Sequence, residues 1–347
     1  MIENYYSKTE DSESFRFFCM ADVETEPVEW LWKPYIPLGK ITVLQGDPGT
    51  GKTYLATNIA AILSSGRDFP YGDNSDRKWR DTPVNVIYQT AEDGLGDTLK
   101  VRLEEAGANC ENIYVINETI ESFTLDDIRL RETVRFIRPK LVVIDPLQAY
   151  LGSDVDMHRA NEIRPVMARL GSIAADYKCA FLLIGHQNKA SGGKNIYRGL
   201  GSIDIIAAAR SVLAVNEMPG CKTQRAVAQI KSSLAPNGET VLFELDPVVG
   251  FAWAGTSELT GDELANGSAG KEASARDGCA DFLRDLLKSG EMYAADVFKA
   301  AEMSGYAEGT IRRAKEKANI LHFKEKIIGG KWIWKLGDLE DSNTKKT

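Results

Sequence analysis

The sequence predicts an α/β fold, a mainly parallel sheet flanked by helices, followed by a smaller unit of three helices and a hairpin. Between Trp30 and Ala254, short apolar runs alternate with segments of helical period, as in a sheet covered on both faces. One strand–turn–helix there carries Gly46-Asp47-Pro48-Gly49-Thr50-Gly51-Lys52-Thr53, a complete phosphate-binding loop. The 347 residues suggest two domains, one of them large enough for a sizeable core.

Residues 1–29 carry eight acids against two bases and read as an acidic arm. The core spans 30–254. Its strand candidates are Ile41–Leu44, Val84–Gln89, Ile113–Ile116, Leu141–Ile144, Ala180–Ile184, Ser211–Val215, Ala226–Ile230 and Val241–Leu245. Its helices are Lys52–Ser65, Leu95–Ala106, Leu125–Ile137 and His158–Tyr177. Thr124 is placed to cap the third, Pro139 to end it and Pro165 to kink or interrupt the fourth. Small, polar residues 255–275 read as a flexible linker. Residues 276–337 hold helices Ala280–Lys288, Ala294–Met303 and Gly309–Lys317, then strands Leu321–Ile328 and Lys331–Leu336 joined at Gly329-Gly330, the outline of a winged helix. Residues 338–347 are a polar tail.

A net charge of −8 argues against wholesale coating of nucleic acid. Residues 308–335, however, carry eight bases against three acids, which suggests a local polyanion contact. The five cysteines are scattered, without zinc or redox spacing, and fit a reducing compartment. The polar, acidic start is not a signal peptide, and no apolar run approaches the ~18 residues that span a membrane. The expected location is the cytoplasm, with no membrane partner.

The loop's glycines let backbone N–H groups curl around phosphates. Lys52 adds positive charge at the β- and γ-phosphates, and Thr53 a hydroxyl for magnesium, so ATP and Mg2+ are the expected cofactors. Leu141-Val142-Val143-Ile144-Asp145 reads as a buried strand with a carboxylate at its end, where Asp145 would hold the magnesium and its water. Val86–Gln89 leads to Glu92 and Asp93. A carboxylate there could orient the attacking water; Glu92 is the first choice and Asp93 the alternative. After Phe181–Ile184, His186 or Gln187 could touch the γ-phosphate.

Together with Tyr35–Gly46, the stretches Gln89-Thr90-Ala91-Glu92, Val142–Pro146 and Gly185-His186-Gln187-Asn188-Lys189 resemble the RecA-like ATPases of the RepA type. These are replicative helicases of plasmids and phages, related to DnaB-type helicases and RadA/Sms ATPases. The resemblance covers about residues 30–254. It implies a RecA-like P-loop core and a ring, usually a hexamer, with ATP between subunits. It implies that Glu92 is the catalytic glutamate and Gln187 the sensor. It also implies a pore loop meeting single-stranded DNA through Lys189, Lys194 and Arg198, with Tyr197 able to stack on a base.

Relatives also need a cation from the neighbouring subunit. Arg210 matches a Gly-Ser-to-Ala-Arg segment of RepA-type relatives. Lys231 resembles the lysine of a Lys-x-Arg pair in DnaB-type helicases, but Ser233 stands in the arginine's place, which favours Arg210. In the last unit, Ile311, Ala314 and Ala318 share one helix face. Arg312, Arg313, Lys315 and Lys317 lie on the others, the build of a DNA-recognition helix. The expected activity is that of a replicative helicase or translocase of a mobile element, with replication partners. The alternative is an ATP-dependent DNA-binding switch in regulation, partition or recombination.

Overall fold

The computed structural model describes residues 20–75, 81–119, 121–153, 155–186, 203–218, 221–246, 248–265, 269–325 and 330–337. A short antiparallel pair, β1 (Trp30–Trp32) and β2 (Ile36–Pro37), leads into β3 (Ile41–Gly46). Then follow α1 (Lys52–Ser64), β4 (Val86–Thr90), α2 (Lys100–Glu105), β5 (Ile113–Tyr114), α3 (Ile128–Ile137), β6 (Leu141–Asp145), α4 (Ala160–Tyr177), β7 (Ala180–His186), α5 (Ile203–Ala208) and β8 (Ser211–Met218). Strands β9 (Cys221–Ser232), β10 (Thr240–Asp246) and β11 (Gly250–Ser257) complete a nine-stranded sheet ordered β11-β10-β9-β8-β3-β7-β6-β4-β5. The half from β8 to β5 is parallel, and β8 to β11 is antiparallel.

Alternation along each strand sorts the core into two layers. Leu44, Val86, Tyr88, Leu141, Val143, Leu182 and Ile184 face α1, while Ile41, Val43, Ile87, Val142, Ile144, Phe181 and Leu183 face α3, α4 and α5. Both layers are apolar, so the central strands read as continuous hydrophobic runs.

Three expected boundaries differ. Helix α3 is capped by Asp127, whose Oδ1 accepts from the N–H of Arg129 at 2.8 Å, and Thr124 lies outside it. Helix α4 runs unbroken through Pro165, whose missing N–H costs one intrahelical bond while Ile163, Val166, Met167 and Leu170 stay buried against the sheet. Residues 255–275 hold the end of β11, a helix α6 (Gly261–Ala265) and the start of α7 (Ala269–Leu287). Their small residues serve packing: an added Cβ at Gly261 would lie 2.1 Å from Ile230, and Leu264 is buried with Ala226 and Ala228 of β9.

The remaining elements are β12 (Met292–Tyr293), α8 (Ala294–Met303), α9 (Glu308–Lys317), β13 (Ile320–Lys324) and β14 (Trp332–Leu336). The three strands pair antiparallel in the order β12-β14-β13. Leu283, Val297, Ile311, Ala314 and Trp334 form their own buried cluster, separate from the sheet's two layers. Gly329 lies outside the described residues.

Candidate active site

The phosphate loop joins β3 to α1 at the carboxyl end of the parallel sheet. Gly49 and Gly51 take φ values of 78° and 91°, in the left-handed region where a side chain is strained. An added Cβ at Gly51 would lie 2.4 Å from Leu245 Cδ1 of β10, so any other residue there must also displace that side chain. At Gly49 the same atom would meet open space, leaving that side of the loop free for a ligand.

Lys52 opens α1 and is buried. Its Nζ donates to the carbonyls of Gly46 at 2.9 Å and Asp47 at 2.8 Å. Burial pulls its pKa down, and Asp145, Asp47 and Glu92 pull the other way. Asp145 ends β6 with its carboxylate buried and its pKa raised by that burial. Hydrogen bonds from Thr53 and from Tyr88, whose Oη lies 3.3 Å from Oδ2, oppose the shift; Glu92 and Asp93 add to it. Thr53, Asp145, Lys52 and Glu92 thus share one electrostatic neighbourhood, although β7 separates β6 from β3.

The register of β4 on β6 pairs Thr90 with Asp145, and the N–H of Ala91 donates to the Asp145 carbonyl at 3.1 Å. The chain therefore leaves β4 at the site's edge, with Glu92 exposed and Asp93 half-buried. Asp93 is held by Arg102 at 2.5 Å, and that guanidinium lies 4.8 Å from the Tyr54 ring centre. A π-helical turn, Leu95–Leu99, leads into α2, whose first turn carries Arg102 back to this position. Gln89 is held from the opposite face by Glu118 and by the N–H of Ile116 at 2.9 Å. Sequence reasoning missed Tyr88, Arg102 and Glu118; a partner nine or more residues away leaves no local spacing signal. A cavity of about 930 Å³ opens beside the loop, lined in part by Tyr54, Asn58, Arg102, Leu245, Phe251 and Trp253.

The other sequence candidates fall elsewhere. Register pairs His186 with Gly46; Gln187, Lys189, Lys194 and Arg198 lie outside the described residues. Arg210 is exposed just before β8, its N–H donating to the Ile41 carbonyl at 2.9 Å. It therefore stands at the opposite sheet end from the phosphate loop, about 16 Å away at ~3.3 Å per strand residue. Lys231 Nζ donates to the carbonyls of Ile206 at 2.7 Å, Ala207 at 3.1 Å and Ala209 at 2.7 Å, which closes the end of α5. Arg312 and Lys315 line a groove on α9; the Lys317 carbonyl accepts from Arg284 at 2.6 Å, and the Arg313 side chain is outside the described set.

A phosphate loop after a parallel strand, with a buried carboxylate on the next strand but one, defines a P-loop ATPase of the RecA-like kind. A family model described as AAA domain matches residues 9–192, just over half the chain, and the chain belongs to that family. It is 26% identical over 236 residues to the DNA repair protein RadA of Listeria monocytogenes, covering 67% of this chain and 45% of that one. It is 28% identical over 155 residues to RadA of Mycobacterium tuberculosis strain H37Rv, covering 44% and 28%. The chain thus spans less than half the length of these curated relatives. Among solved structures, a KaiC-like protein of Pyrococcus horikoshii aligns at TM-score 0.44 and 19% identity, covering 65% of this chain and 93% of that one. Among the described residues no helix is long and apolar enough to cross a membrane.

Proposed function

We propose that the protein is a DNA-interacting ring ATPase, acting as a replicative helicase or translocase of a mobile element. The observation that carries the hydrolytic part is the convergence of Lys52, Thr53, Asp145 and Glu92 at the carboxyl ends of β3, β6 and β4. The chain's own donors fit a magnesium nucleotide. Among the described residues no three His, Cys, Asp or Glu side chains could hold a metal ion. A hydroxyl and one carboxylate, Thr53 and Asp145, suffice when phosphate oxygens complete the shell, as magnesium prefers. The cation would neutralise charge developing on the phosphates.

Lys52 would exchange the Gly46 and Asp47 carbonyls for phosphate oxygens. Glu92, exposed at the mouth and near Lys52 and Asp145, would orient the water; Asp93 is ion-paired with Arg102. The cavity beside Tyr54 and Arg102 has room for the nucleoside. Because Arg210 stands at the far sheet end, a role for it in hydrolysis requires a neighbour's nucleotide, the arrangement of a ring with sites between subunits. The three carbonyls on Lys231 favour Arg210 for that task. Gln187 would sense the γ-phosphate, and Lys189, Lys194 and Arg198 would follow single-stranded DNA in the pore. The order α7, β12, α8, α9, β13, β14 supports a winged helix.

The second reading, an ATP-set switch on DNA without unwinding, draws on the likeness to repair proteins. Forked-duplex unwinding with ATP, beside ATP turnover with and without single-stranded DNA, separates the two. A motor unwinds the fork; a switch hydrolyses and binds but leaves it paired. Lys52→Ala abolishing neither ATP binding nor turnover would overturn both.

A further inference from the structure

The last unit carries a second concave site, far in sequence from the phosphate loop. A groove of about 560 Å³ runs between α9 and the β13–β14 pair. Register sets His322 opposite Trp334 and Lys324 opposite Trp332, so His322, Lys324, Trp332 and Trp334 share one sheet face. On α9, Arg312 and Lys315 are three residues apart and lie on one side. The Arg312 guanidinium sits 5.6 Å from the Phe298 ring centre, and Lys315 Nζ 5.0 Å from that of Trp334. The His322 and Trp332 rings are 5.6 Å apart.

The two tryptophans differ in what explains them. Trp334 is 5% exposed and belongs to the buried cluster with Leu283, Val297 and Ile311. Trp332 is 50% exposed and contributes nothing to that cluster. Folding therefore accounts for Trp334 and not for Trp332. Among the described residues, the groove's lining includes Arg312, Lys315 and His322 and no carboxylate. Glu308 stands one turn before Arg312 on the same helix stripe and shares its charge at 2.6 Å, so Lys315 is the groove's main cation on α9.

We propose that this groove binds single-stranded nucleic acid, with one base stacked on Trp332 and the adjoining phosphates on Lys315 and Arg312. A flat indole beside cations matches a base beside its phosphates, the pairing used by single-strand binders. In a duplex both faces of each base are already stacked, so a ring set within a groove has nothing to meet. An acidic peptide would use the cations but leave the indole face without a flat partner. The inference deepens the DNA-interacting reading by naming the strand form, and its geometry does not depend on nucleotide.

The test uses the full chain without ATP, a fluorescein-labelled oligothymidine of about 12 nucleotides and a blunt duplex of the same length. Trp332→Ala should weaken oligothymidine binding about tenfold or more, and Trp332→Phe should retain most of it. Lys315→Ala should weaken binding and lower the salt slope by about 0.7. The assay contains no nucleotide, so it reads this groove without the phosphate loop. Failure of the ATPase reading therefore leaves this result intact. Should Trp332→Ala melt the unit, Trp332→Phe and Lys315→Ala decide. Unchanged affinity in Trp332→Ala, an equal loss in Trp332→Phe, or tighter binding of the duplex would overturn the proposal.

Discussion

At the residue scale, the active-site carboxylates divide by environment. Asp93 is ion-paired with Arg102, and Glu92 is an exposed residue near Lys52 and Asp145. Glu92→Gln should bind ATP normally and lose hydrolysis by about 100-fold or more, the scale of a lost general base; a fluorescent ATP analogue and a phosphate-release assay measure the two. Asp93→Asn should cost far less in turnover. Asp145 is the opposite case, a buried acid whose pKa is raised chiefly by burial. A raised carboxyl pKa means the folded state keeps its proton after the unfolded state has lost it. Stability is therefore greatest below the ordinary carboxylate range and falls as pH rises through the folded pKa. At neutral pH the ionised Asp145 is a net cost. Asp145→Asn should raise the unfolding midpoint at pH 7, lose that gain in acid and abolish magnesium-dependent turnover. Calorimetry at the two pH values checks the sign.

At the element scale, Lys231 works as a cap and Gly51 as a joint. Lys231→Ala removes a cation holding two carbonyls of α5 and that of Ala209 just beyond it, and should cost about 1 kcal/mol in denaturant unfolding. Arg210→Ala should leave stability alone, stop hydrolysis and recover activity when mixed with Lys52→Ala subunits. If Lys231→Ala is as stable as wild type and only turnover falls, Lys231 and not Arg210 is the group acting on the neighbour. Gly51→Ala combines a left-handed φ with a clash on Leu245, so shortening that side chain, as in Gly51→Ala with Leu245→Ala, should not restore the loop.

The parallel strands, the loop and Asp145 were legible because each is a local apolar run with a fixed chemical ending. Elements whose cause is distant were not. Trp30–Trp32 forms a strand because Trp32 packs on Tyr35, Phe69 and Trp253. Strand β11 mixes Phe251 and Trp253 with small residues and pairs with β10 on a sheet edge, and α6 looks like a linker until Leu264 finds β9. Arg102 was invisible as a site residue because its partner lies across the π-helical turn.

At the scale of the whole molecule, separate hydrophobic clusters serve the sheet and the C-terminal unit. Ending the chain after residue 268 should leave the core folded and its basal ATP turnover nearly intact, while removing nucleotide-independent capture of single strands. A shared unfolding transition in the full chain that vanishes on truncation would contradict this independence. If sites form between subunits, specific turnover should climb with protein concentration before it levels. Sedimentation showing an active monomer throughout would exclude a ring.

Helix α6 clasps the sheet through Leu264, and α7 begins at Ala269. Four peptide steps join Ala265 to Ala269, at most about 14 Å of chain. In a ring of the proposed kind every groove would thus be tied to its own subunit, and a strand held by one would meet its neighbours at an effective concentration of the order of millimolar. A strand let go by one groove would be met by the next before it could diffuse away. Retention would then be a collective property: single grooves could be weak enough to let the strand move, and the circle of them still tight enough to keep it.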